Sequence, residues 1–264
     1  MSTCRLGGFF VLSLIVCGVA LAASEKPPST VVVISANAEW RPFRGLFPEA
    51  RIEQSPFGEY FVHDLDVGGG VEKVVLLHGG WGKISAAASA QFAIDRWSPR
   101  LLVNLGTCGG FKGAVEPGEV LLVEKTIVYD IVEKMGDASE AIAEYTTDLD
   151  LDWLQPPYPT PVRRVSLVSA DRDLFPEDLD TLQKKYGAVA GDWESGAIAW
   201  VASRNRTRTL ILRAVSDVVD REGGEAYGNV ALFHERAKTI MKNLAEILPR
   251  WIARALEKEA FSPD

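Results

Sequence analysis

The stretch Thr209–Asp220 (TLILRAVSDVVD) constrains the fold most, because a fully apolar run leads directly into polar residues. Leu210, Ile211 and Leu212 lack the alternation of apolar and polar residues that is typical of a half-buried strand. They therefore predict a strand buried on both faces, as in a sheet covered by helices on each side. Ser216 and Asp217 follow where this strand is expected to end, and ligands collect at that edge of open α/β sheets.

Asp217 has two interpretations at this stage. A carboxyl group partly shielded by a sheet has its pKa raised by desolvation, which suits a proton donor near neutral pH. Alternatively, Ser216 or Asp217 caps the N-terminus of a following helix by accepting hydrogen bonds from its free N–H groups. The stretch alone leaves both open.

The rest of the chain alternates strand-like and helix-like segments, which predicts an α/β fold: a single domain with a mixed central β-sheet flanked by helices. The predicted strands include Val31–Ile34, Glu59–Leu65, Val71–Leu77, Leu101–Leu105, Val165–Val168 and Ala188–Ala190. The predicted helices include Lys83–Trp97, Pro176–Tyr186, Ser195–Arg204 and Val230–Glu259. The glycines of Gly106–Gly110 are expected to form a turn after a strand, and Asp130–Pro161 is expected to be an irregular excursion.

Composition excludes several function classes. The chain has 264 residues, 47% hydrophobic and 24% charged, which is enough for one substantial core. Its formal net charge of -8 argues against nucleic acid as a partner. The phosphate-binding motif GxxxxGK[ST], the dinucleotide motif GxGxxG after a strand and the nucleophile motif GxSxG do not occur. The three histidines lie far apart in sequence, so no metal site is predicted, and His78 is interpreted as structural.

The N-terminus has the pattern of a secretory signal peptide: a cation at Arg5, an apolar run and a small-residue cleavage site at Ala20-Leu21-Ala22. The apolar run is shorter than the roughly 20 residues that span a bilayer, although retention as an anchor is the alternative. The predicted organisation is a signal peptide at 1–22, a spacer at 23–30 and one folded domain at 31–258. We therefore expect a secreted or periplasmic protein without stable membrane insertion, with Cys108 as the one cysteine left after processing.

Three isolated acids stand at predicted strand ends: Glu39, Glu194 and Asp217. Each alone is more often a cap or a surface charge. Together they indicate chemistry through a cation-like transition state, with one acid for the leaving group and one carboxylate that directs a nucleophile.

At these residues the chain resembles the nucleoside phosphorylase/nucleosidase superfamily, and within it the 5′-methylthioadenosine/S-adenosylhomocysteine nucleosidases. VVVISANAEW (31–40) is similar to the family's first strand and its water-positioning glutamate, which implies this role for Glu39. LRAVSDVVD (212–220) is similar to the family's acid segment, which implies that Asp217 protonates the purine N7 and that Ser216 supports it. GDWESGAIA (191–199) resembles the segment whose glutamate binds ribose hydroxyls, here Glu194, with Trp193 packed under the sugar.

GGWGKISAAA (79–88) and LVNLGTCGGF (102–111) resemble two further family segments, so the likeness extends from about Val31 to Trp251. The resemblance implies hydrolysis of an adenine-type nucleoside to free base and sugar by a homodimer, with no metal and no organic cofactor. Besides the catalytic Glu39 and Asp217, it implies these substrate-binding residues: Thr107, Cys108, Gly109, Asp192, Trp193, Glu194, Arg213 and Ser216.

Two alternatives stay open. A phosphorylase of the same fold requires cations for its phosphate nucleophile, and Asn104 stands where trimeric phosphorylases have arginine, which favours water. A secreted nucleoside-binding or storage protein would not need the three acids. One departure concerns the base: an aromatic residue is expected shortly after Ser169-Ala170-Asp171, but Asp173 stands at that position, with Phe175 two residues later.

Overall fold

A computed structural model describes residues 27–257, so the predicted signal peptide lies outside the described residues. Within that range the chain forms eleven strands and six helices. The strands are β1 (Thr30–Ile34), β2 (Glu53–Gln54), β3 (Glu59–Asp66), β4 (Val71–His78), β5 (Leu101–Phe111), β6 (Val120–Val128), β7 (Thr146–Asp148), β8 (Arg163–Ser169), β9 (Ala188–Asp192), β10 (Thr209–Asp220) and β11 (Gly223–Gly224). The helices are α1 (Asn37–Arg44), α2 (Gly82–Trp97), α3 (Ala138–Glu144), α4 (Leu179–Tyr186), α5 (Ser195–Arg204) and α6 (Val230–Glu257).

All strands belong to one mixed sheet with the order β11-β10-β6-β8-β9-β5-β1-β4-β3-β2, and β7 pairs with β6. Because β10 also pairs with β5, the five strands β5, β10, β6, β8 and β9 close into a ring. The pairs formed by β1 with β4 and with β5 are parallel, whereas β5 meets β9 in antiparallel fashion. The predicted α/β class with a mixed central sheet is confirmed.

Helices cover the sheet on both faces, as the unbroken apolar strands require. Every residue of β1 is buried. Alternate β1 residues point into two separate cores, with Val32 and Ile34 in one and Val31 and Val33 in the other. The first core is closed by α1 and α6 and includes the buried Trp40 and Trp251, and the second is closed by α2 and α5.

Two predicted strand ends are wrong. β5 continues through the glycines to Phe111, and β10 continues through Ser216 and Asp217 to Asp220. The register of β10 against β5 shifts between Val215 and Asp217, so Asp217 lies at a bulge inside a strand. A bulge bends a strand and re-aims a side chain, which here directs the acid out of the ladder. The helix-cap interpretation of Asp217 is therefore also wrong.

The excursion at residues 130–161 contains α3 and β7 and packs against the main core. Leu151 and Leu154 are buried there, and Trp251 Nε1 of α6 donates to Thr160 Oγ1 at 3.0 Å. Among the helices of residues 27–257, none is both long and apolar enough to cross a membrane.

Candidate active site

A cavity of about 800 Å³ opens beyond the end of β1, beside residues 107–109 of β5 and the bulge of β10. It brings together residues far apart in sequence, because the carboxyl ends of neighbouring parallel strands lie at one sheet edge. Its walls include every residue that the sequence predicted for the site except Arg213: Glu39, Thr107, Cys108, Gly109, Asp192, Trp193, Glu194, Ser216 and Asp217.

Glu39 lies in the first turn of α1, directly after β1, and is 4% exposed. Its Oε1 accepts hydrogen bonds from the Thr107 backbone N (2.6 Å) and from Thr107 Oγ1 (2.7 Å). Its Oε2 is buried and has no protein partner among the described residues. Burial raises the pKa of Glu39, and the nearby Arg213 opposes this shift. Glu39 is thus a fixed carboxyl group with one oxygen left for a ligand.

Arg213 lies beneath the cavity and does not line it, because its side chain is completely buried. Its Nε is 2.7 Å from Asp192 Oδ2, and its Nη1 is 3.9 Å from Glu39 Oε1. Its Nη2 donates to Asn104 Oδ1 at 2.8 Å. Arg213, predicted to bind substrate, therefore does not reach the cavity surface and instead contacts the carboxyl groups of Asp192 and Glu39, which do.

Gly106 provides the room for this buried ion pair. A Cβ atom at Gly106 would lie 1.9 Å from Arg213 Nη1 and 2.8 Å from Glu39 Oε2. The sequence suggested that this glycine forms a turn. Its structural role is to let a guanidinium and a carboxylate meet beside the backbone of β5.

Glu194 stands at the start of α5 and is 4% exposed. Burial and the repulsion of Glu39 raise its pKa to about 8. Its Oε1 accepts a hydrogen bond from the backbone N of Gly82 at 3.1 Å, which ties α5 to the start of α2. A protonated carboxyl group both donates and accepts hydrogen bonds, and an ionised one accepts them, so Glu194 can bind hydroxyl groups in either form.

Asp217 is 6% exposed and enters the cavity from the bulge of β10. Burial raises its pKa, while the hydrogen bond from Ser216 Oγ to its Oδ1 (2.6 Å) opposes the shift. Ser216 Oγ also lies 3.2 Å from the Cys108 carbonyl, which fixes the hydroxyl beside the acid. The arrangement is suited to hold a proton and deliver it to a ligand.

The sequence did not predict five further aromatic or charged cavity residues, four contributed by loops and the last by α6. These are Trp81, Tyr129, Arg172, Tyr227 and Phe233. Tyr227 Oη donates to the Leu174 carbonyl at 2.6 Å, which holds the loop after β11 over the cavity. In the sequence, Tyr227 is marked only by the glycines around it, at positions 223, 224 and 228, whereas Trp81 lies inside the GGWGKISAAA segment.

The segment expected to contact the base also lines the cavity. Asp173 is exposed there, and Phe175 is 41% exposed. The Arg172 guanidinium lies 4.6 Å from the Phe175 ring centre and 5.0 Å from that of Tyr129, and it pairs with Asp178. Phe175 is therefore covered by a cation on at least one side.

The remaining titratable candidates do not add a catalytic group. His78 lies outside the cavity lining and stacks on Trp40 with ring centres 5.5 Å apart, and burial lowers its pKa. Burial raises the pKa of the Cys108 thiol well above its usual range, so it stays protonated. Within residues 27–257 no three His, Cys, Asp or Glu side chains are grouped so as to hold a metal ion.

Comparison with known proteins agrees with this geometry. A family profile described as "Phosphorylase superfamily" matches residues 30–253. The chain is 26% identical over 188 residues to the 5′-methylthioadenosine/S-adenosylhomocysteine nucleosidase of Oceanobacillus iheyensis, covering 67% of this chain and 80% of that protein.

Two solved structures share the fold. The nucleosidase of the same name from Neisseria meningitidis, in complex with methylthio-immucillin-A, superposes with a TM-score of 0.67 at 22% identity, covering 85% of this chain and 99% of that one. The futalosine hydrolase of Helicobacter pylori superposes with a TM-score of 0.68 at 14% identity, covering 83% and 97%.

Proposed function

The chain belongs to the phosphorylase superfamily, and from this premise we propose that it hydrolyses the N-glycosidic bond of an adenine nucleoside with a 5′ substituent. The products are free adenine and the corresponding sugar. The relatives that it matches by sequence are 5′-methylthioadenosine/S-adenosylhomocysteine nucleosidases. One structural observation carries the proposal: Asp217, whose pKa burial raises, and Glu39, whose Oε1 is fixed by Thr107, line the same cavity together with the buried carboxyl group of Glu194.

Asp217 acts as the general acid. Adenine is a poor leaving group as an anion, so transfer of the Asp217 proton to N7 allows the C1′–N9 bond to break with its electrons going to the base. Burial of Asp217 raises its pKa above the ordinary value, which favours the protonated form that the reaction requires. A positioned acid of this kind contributes about 10²–10⁴-fold to the rate.

Glu39 directs the nucleophile. Its unpartnered Oε2 orients a water molecule toward C1′ and accepts a proton from it as the new C1′–O bond forms. The two hydrogen bonds from Thr107 fix Oε1, so the carboxylate does not need to reorganise during the reaction. Glu194 binds the ribose hydroxyls, and its negative charge, when ionised, stabilises the developing positive charge on the sugar.

Water is favoured over phosphate as the nucleophile because the nearby cations are already neutralised. Arg213 is buried between Asp192 and Glu39, and Arg172 pairs with Asp178. Lys83, at the start of α2, pairs with Asp130. A phosphate dianion at the sugar would instead meet Glu39, the carboxyl group that takes up the proton of the nucleophile, and the ionised form of Glu39 repels a dianion.

Incubation of the purified protein with a nucleoside panel, with and without inorganic phosphate, tests the proposal. The panel contains methylthioadenosine, S-adenosylhomocysteine, adenosine and inosine. We expect equal adenine release in both buffers and no sugar 1-phosphate. Strictly phosphate-dependent cleavage would establish the phosphorylase alternative, and tight binding without cleavage would establish the binding or storage alternative.

Adenine nucleosides should be cleaved at least about tenfold faster than inosine. Asp217 accepts from the N6 amino group but is mispaired with the 6-oxo group, and a mispaired buried polar group costs about 1–3 kcal/mol.

We also propose a homodimer, as the family resemblance implies. Exposed apolar side chains near the cavity and on the excursion support it: Trp81 (68%), Ile84 (85%), Val132 (76%) and Met135 (96%). Such groups usually mark an interaction surface. Sedimentation of the purified protein tests this, with a monomer at micromolar concentration as the contrary result.

The secreted or periplasmic location is likewise a proposal, supported by the sequence pattern of residues 1–22. N-terminal sequencing of the exported protein should show cleavage after Ala22. Recovery of the uncut chain from the cytoplasm would contradict it.

A further inference from the structure

We propose that Arg236 of α6 is a positioning residue for the general acid, which holds the bulge of β10 so that Asp217 is directed at the leaving base. The inference rests on the proposed function, because it takes Asp217 as the proton donor. It goes further in assigning the orientation of that donor to a residue that does not line the cavity. Arg236 therefore acts on the reaction only through Asp217 and the segments around it.

Arg236 contacts the backbone of the bulge itself. Its Nη1 donates to the Ser216 carbonyl at 2.9 Å. Ser216 has no partner residue on β5, because the register shifts between Val215 and Asp217 and interrupts the ladder there. The peptide unit that contains this carbonyl also contains the backbone N of Asp217, and a peptide unit is planar. The guanidinium therefore fixes the direction in which the Asp217 side chain leaves the strand.

A second contact of the same nitrogen fastens the segment between β11 and α6 beside the acid. Arg236 Nη1 donates to Glu225 Oε2 at 2.7 Å, and the backbone N of Glu225 donates to the Val218 carbonyl at 3.1 Å. The backbone N–H of the next residue, Ala226, is directed at the Asp217 carboxyl group. Arg236 thus holds both the strand that carries Asp217 and the segment that lies against its carboxyl group.

The charge of Arg236 also acts on Asp217. Burial raises the pKa of Asp217, and the positive charge of Arg236 is one of the influences that oppose this rise. The charged groups that face Asp217 are Arg236 and its partner Glu225. Tyr227, on the same segment, and Cys108 of β5 face it as well, but burial raises the pKa of both, so they remain neutral near neutral pH.

Replacement of Arg236 should affect the reaction more than the fold. The side chains of Arg236 and Glu225 are 31% and 43% exposed, so solvent screens the pair and its contribution to stability is small. We therefore expect Arg236→Met to fold, and thermal unfolding of the variant verifies this.

The test compares two substrates that share a sugar and differ in their need for a proton. The first is 5′-methylthioadenosine, whose adenine must be protonated to leave. The second is the 4-nitrophenyl glycoside of 5-methylthioribose, which releases nitrophenolate as a stable anion without a proton. The ratio of kcat/KM for the first to kcat/KM for the second isolates proton donation, and it cancels any loss of active protein.

In Arg236→Met this ratio should fall by about tenfold to a hundredfold, because displacement of a catalytic group by about 1 Å has an effect of that order. Asp217→Asn gives the full effect of losing the acid. Arg236→Lys keeps a cation that can donate to the Ser216 carbonyl, so it should recover most of the ratio. A role of Arg236 in folding alone would lower kcat/KM equally for both substrates.

A second measurement does not depend on turnover. Carbon-13 NMR of the carboxyl groups gives the pKa of Asp217 in the free protein, and the absence of its resonance in Asp217→Asn identifies it. The loss of the positive charge in Arg236→Met should raise this pKa, so that Asp217 keeps its proton to higher pH. In Arg236→Lys the pKa should remain near that of the wild type.

Lys112→Met is the matched control, because it removes another cation that is paired with an acid of β10. Lys112 Nζ lies 2.6 Å from Asp220 Oδ2, its side chain is 63% exposed, and it does not line the cavity. The substrate ratio and the pKa of Asp217 in this variant should match those of the wild type.

The outcomes separate this inference from the proposed function. Cleavage of methylthioadenosine by the wild type with an unchanged substrate ratio in Arg236→Met overturns the positioning role and leaves the hydrolase standing. An equal fall of the ratio in Lys112→Met overturns the assignment to Arg236, and an unchanged pKa of Asp217 in Arg236→Met does the same. If the wild type does not cleave the nitrophenyl compound, kcat for methylthioadenosine replaces the ratio, and equal values in Arg236→Met and Lys112→Met overturn the role. Failure of the wild type to cleave either compound overturns both proposals.

Discussion

Arg213 Nε lies 2.7 Å from Asp192 Oδ2, and neither side chain exposes more than 3% of its surface. The pair crosses from β10 to β9, two strands that share β5 as a neighbour in the closed ring. Asp192 is also held by Ser169 Oγ and faces the backbone N of Ser195 at 3.2 Å. The ion pair therefore fixes the positions of β9 and β10 relative to each other directly beneath the cavity.

Replacement of Asp192 by Asn should destabilise the protein strongly. It removes the carboxylate nearest to the buried guanidinium and leaves Glu39 Oε1, at 3.9 Å from Nη1, as the remaining ion-pair partner among residues 27–257. Removal of one member of a buried pair costs about 3–5 kcal/mol. Asp148→Asn is the control, because Asp148 pairs with Lys125 at 3.1 Å while 78% exposed, and such pairs contribute about 0–1 kcal/mol. Urea unfolding measures the free energy of unfolding of both variants. An equal decrease in the two variants would contradict the structural role of the Arg213–Asp192 pair.

Replacement of Asp217 by Asn should reduce kcat by about 10²–10⁴-fold, because the proton for the leaving base is lost. The fold should persist, since the amide fits the same bulge. Asp220→Asn is the matched control on the same strand. Asp220 pairs with Lys112 at 2.6 Å and does not line the cavity, so its kcat should remain within about twofold. A near-normal kcat for Asp217→Asn would refute the proposed acid.

The raised pKa of Glu194 predicts a specific pH dependence of stability. The folded state holds this proton up to about pH 8, whereas the unfolded chain releases it near 4.5. Between these values the folded state binds more protons, so the free energy of unfolding falls as the pH rises. Glu194→Gln has no proton to release in this range. The free energy of unfolding of the variant should therefore increase relative to that of the wild type between pH 5 and pH 8.

Urea titrations at pH 5 and pH 8 measure this difference. Glu225→Gln is the control, because the hydrogen bond from Arg236 lowers the pKa of Glu225 below its ordinary value of 4.5. The stabilisation of the folded state by ionised Glu225 is present above pH 4.5 and is lost only as the pH falls through the lowered pKa. The difference between this variant and the wild type should therefore stay constant from pH 5 to pH 8. A constant difference for Glu194→Gln as well would show that Glu194 is ionised throughout.

Gly106→Ala should damage both stability and turnover, although the change adds one methyl group. The new Cβ would overlap Arg213 Nη1 at 1.9 Å, so the guanidinium and Glu39 must move apart. Overpacking of this kind costs about 1–3 kcal/mol. Gly69→Ala in the hairpin between β3 and β4 is the control, since its Cβ would have no neighbour within 4 Å. The free energy of unfolding and kcat are measured for both variants. Equal stability and equal kcat in the two proteins would contradict the steric argument.

The sequence predicted most regular elements because their apolar patterns are local. β1, the β3–β4 hairpin and helices α2 and α5 were predicted within one residue or so of their observed ends. The two long strands were predicted too short for a physical reason. The glycines of β5 and the polar residues of β10 look like strand ends. Instead, Gly109, Ser216 and Asp217 line a cavity within the sheet, where large apolar side chains would fill the site.

The predicted site residues come together with one exception, and the exception is informative. Arg213 was expected to contact the substrate because it lies in a recognised motif, and a motif does not show which face of a strand its side chain uses. Conversely, Tyr129, Arg172 and Tyr227 reach the cavity through loops whose paths depend on tertiary packing. Only the structure could reveal that Tyr227 is fastened to the Leu174 carbonyl.

The closed ring also bears on how this protein could acquire new substrates. Gly109 of β5 pairs with Gly191 of β9 on one side and with Asp217 of β10 on the other, so the floor of the cavity has a strand on both flanks and no free edge. A change in strand register at this point would have to be matched by every other strand pair of the ring. The positions of the catalytic side chains are therefore expected to change little as the sequence diverges. Trp81 and Tyr227 stand on segments outside the ring. Substitutions at such positions change which nucleoside fits without disturbing the chemistry, so divergence of substrate range within this architecture should accumulate at the rim.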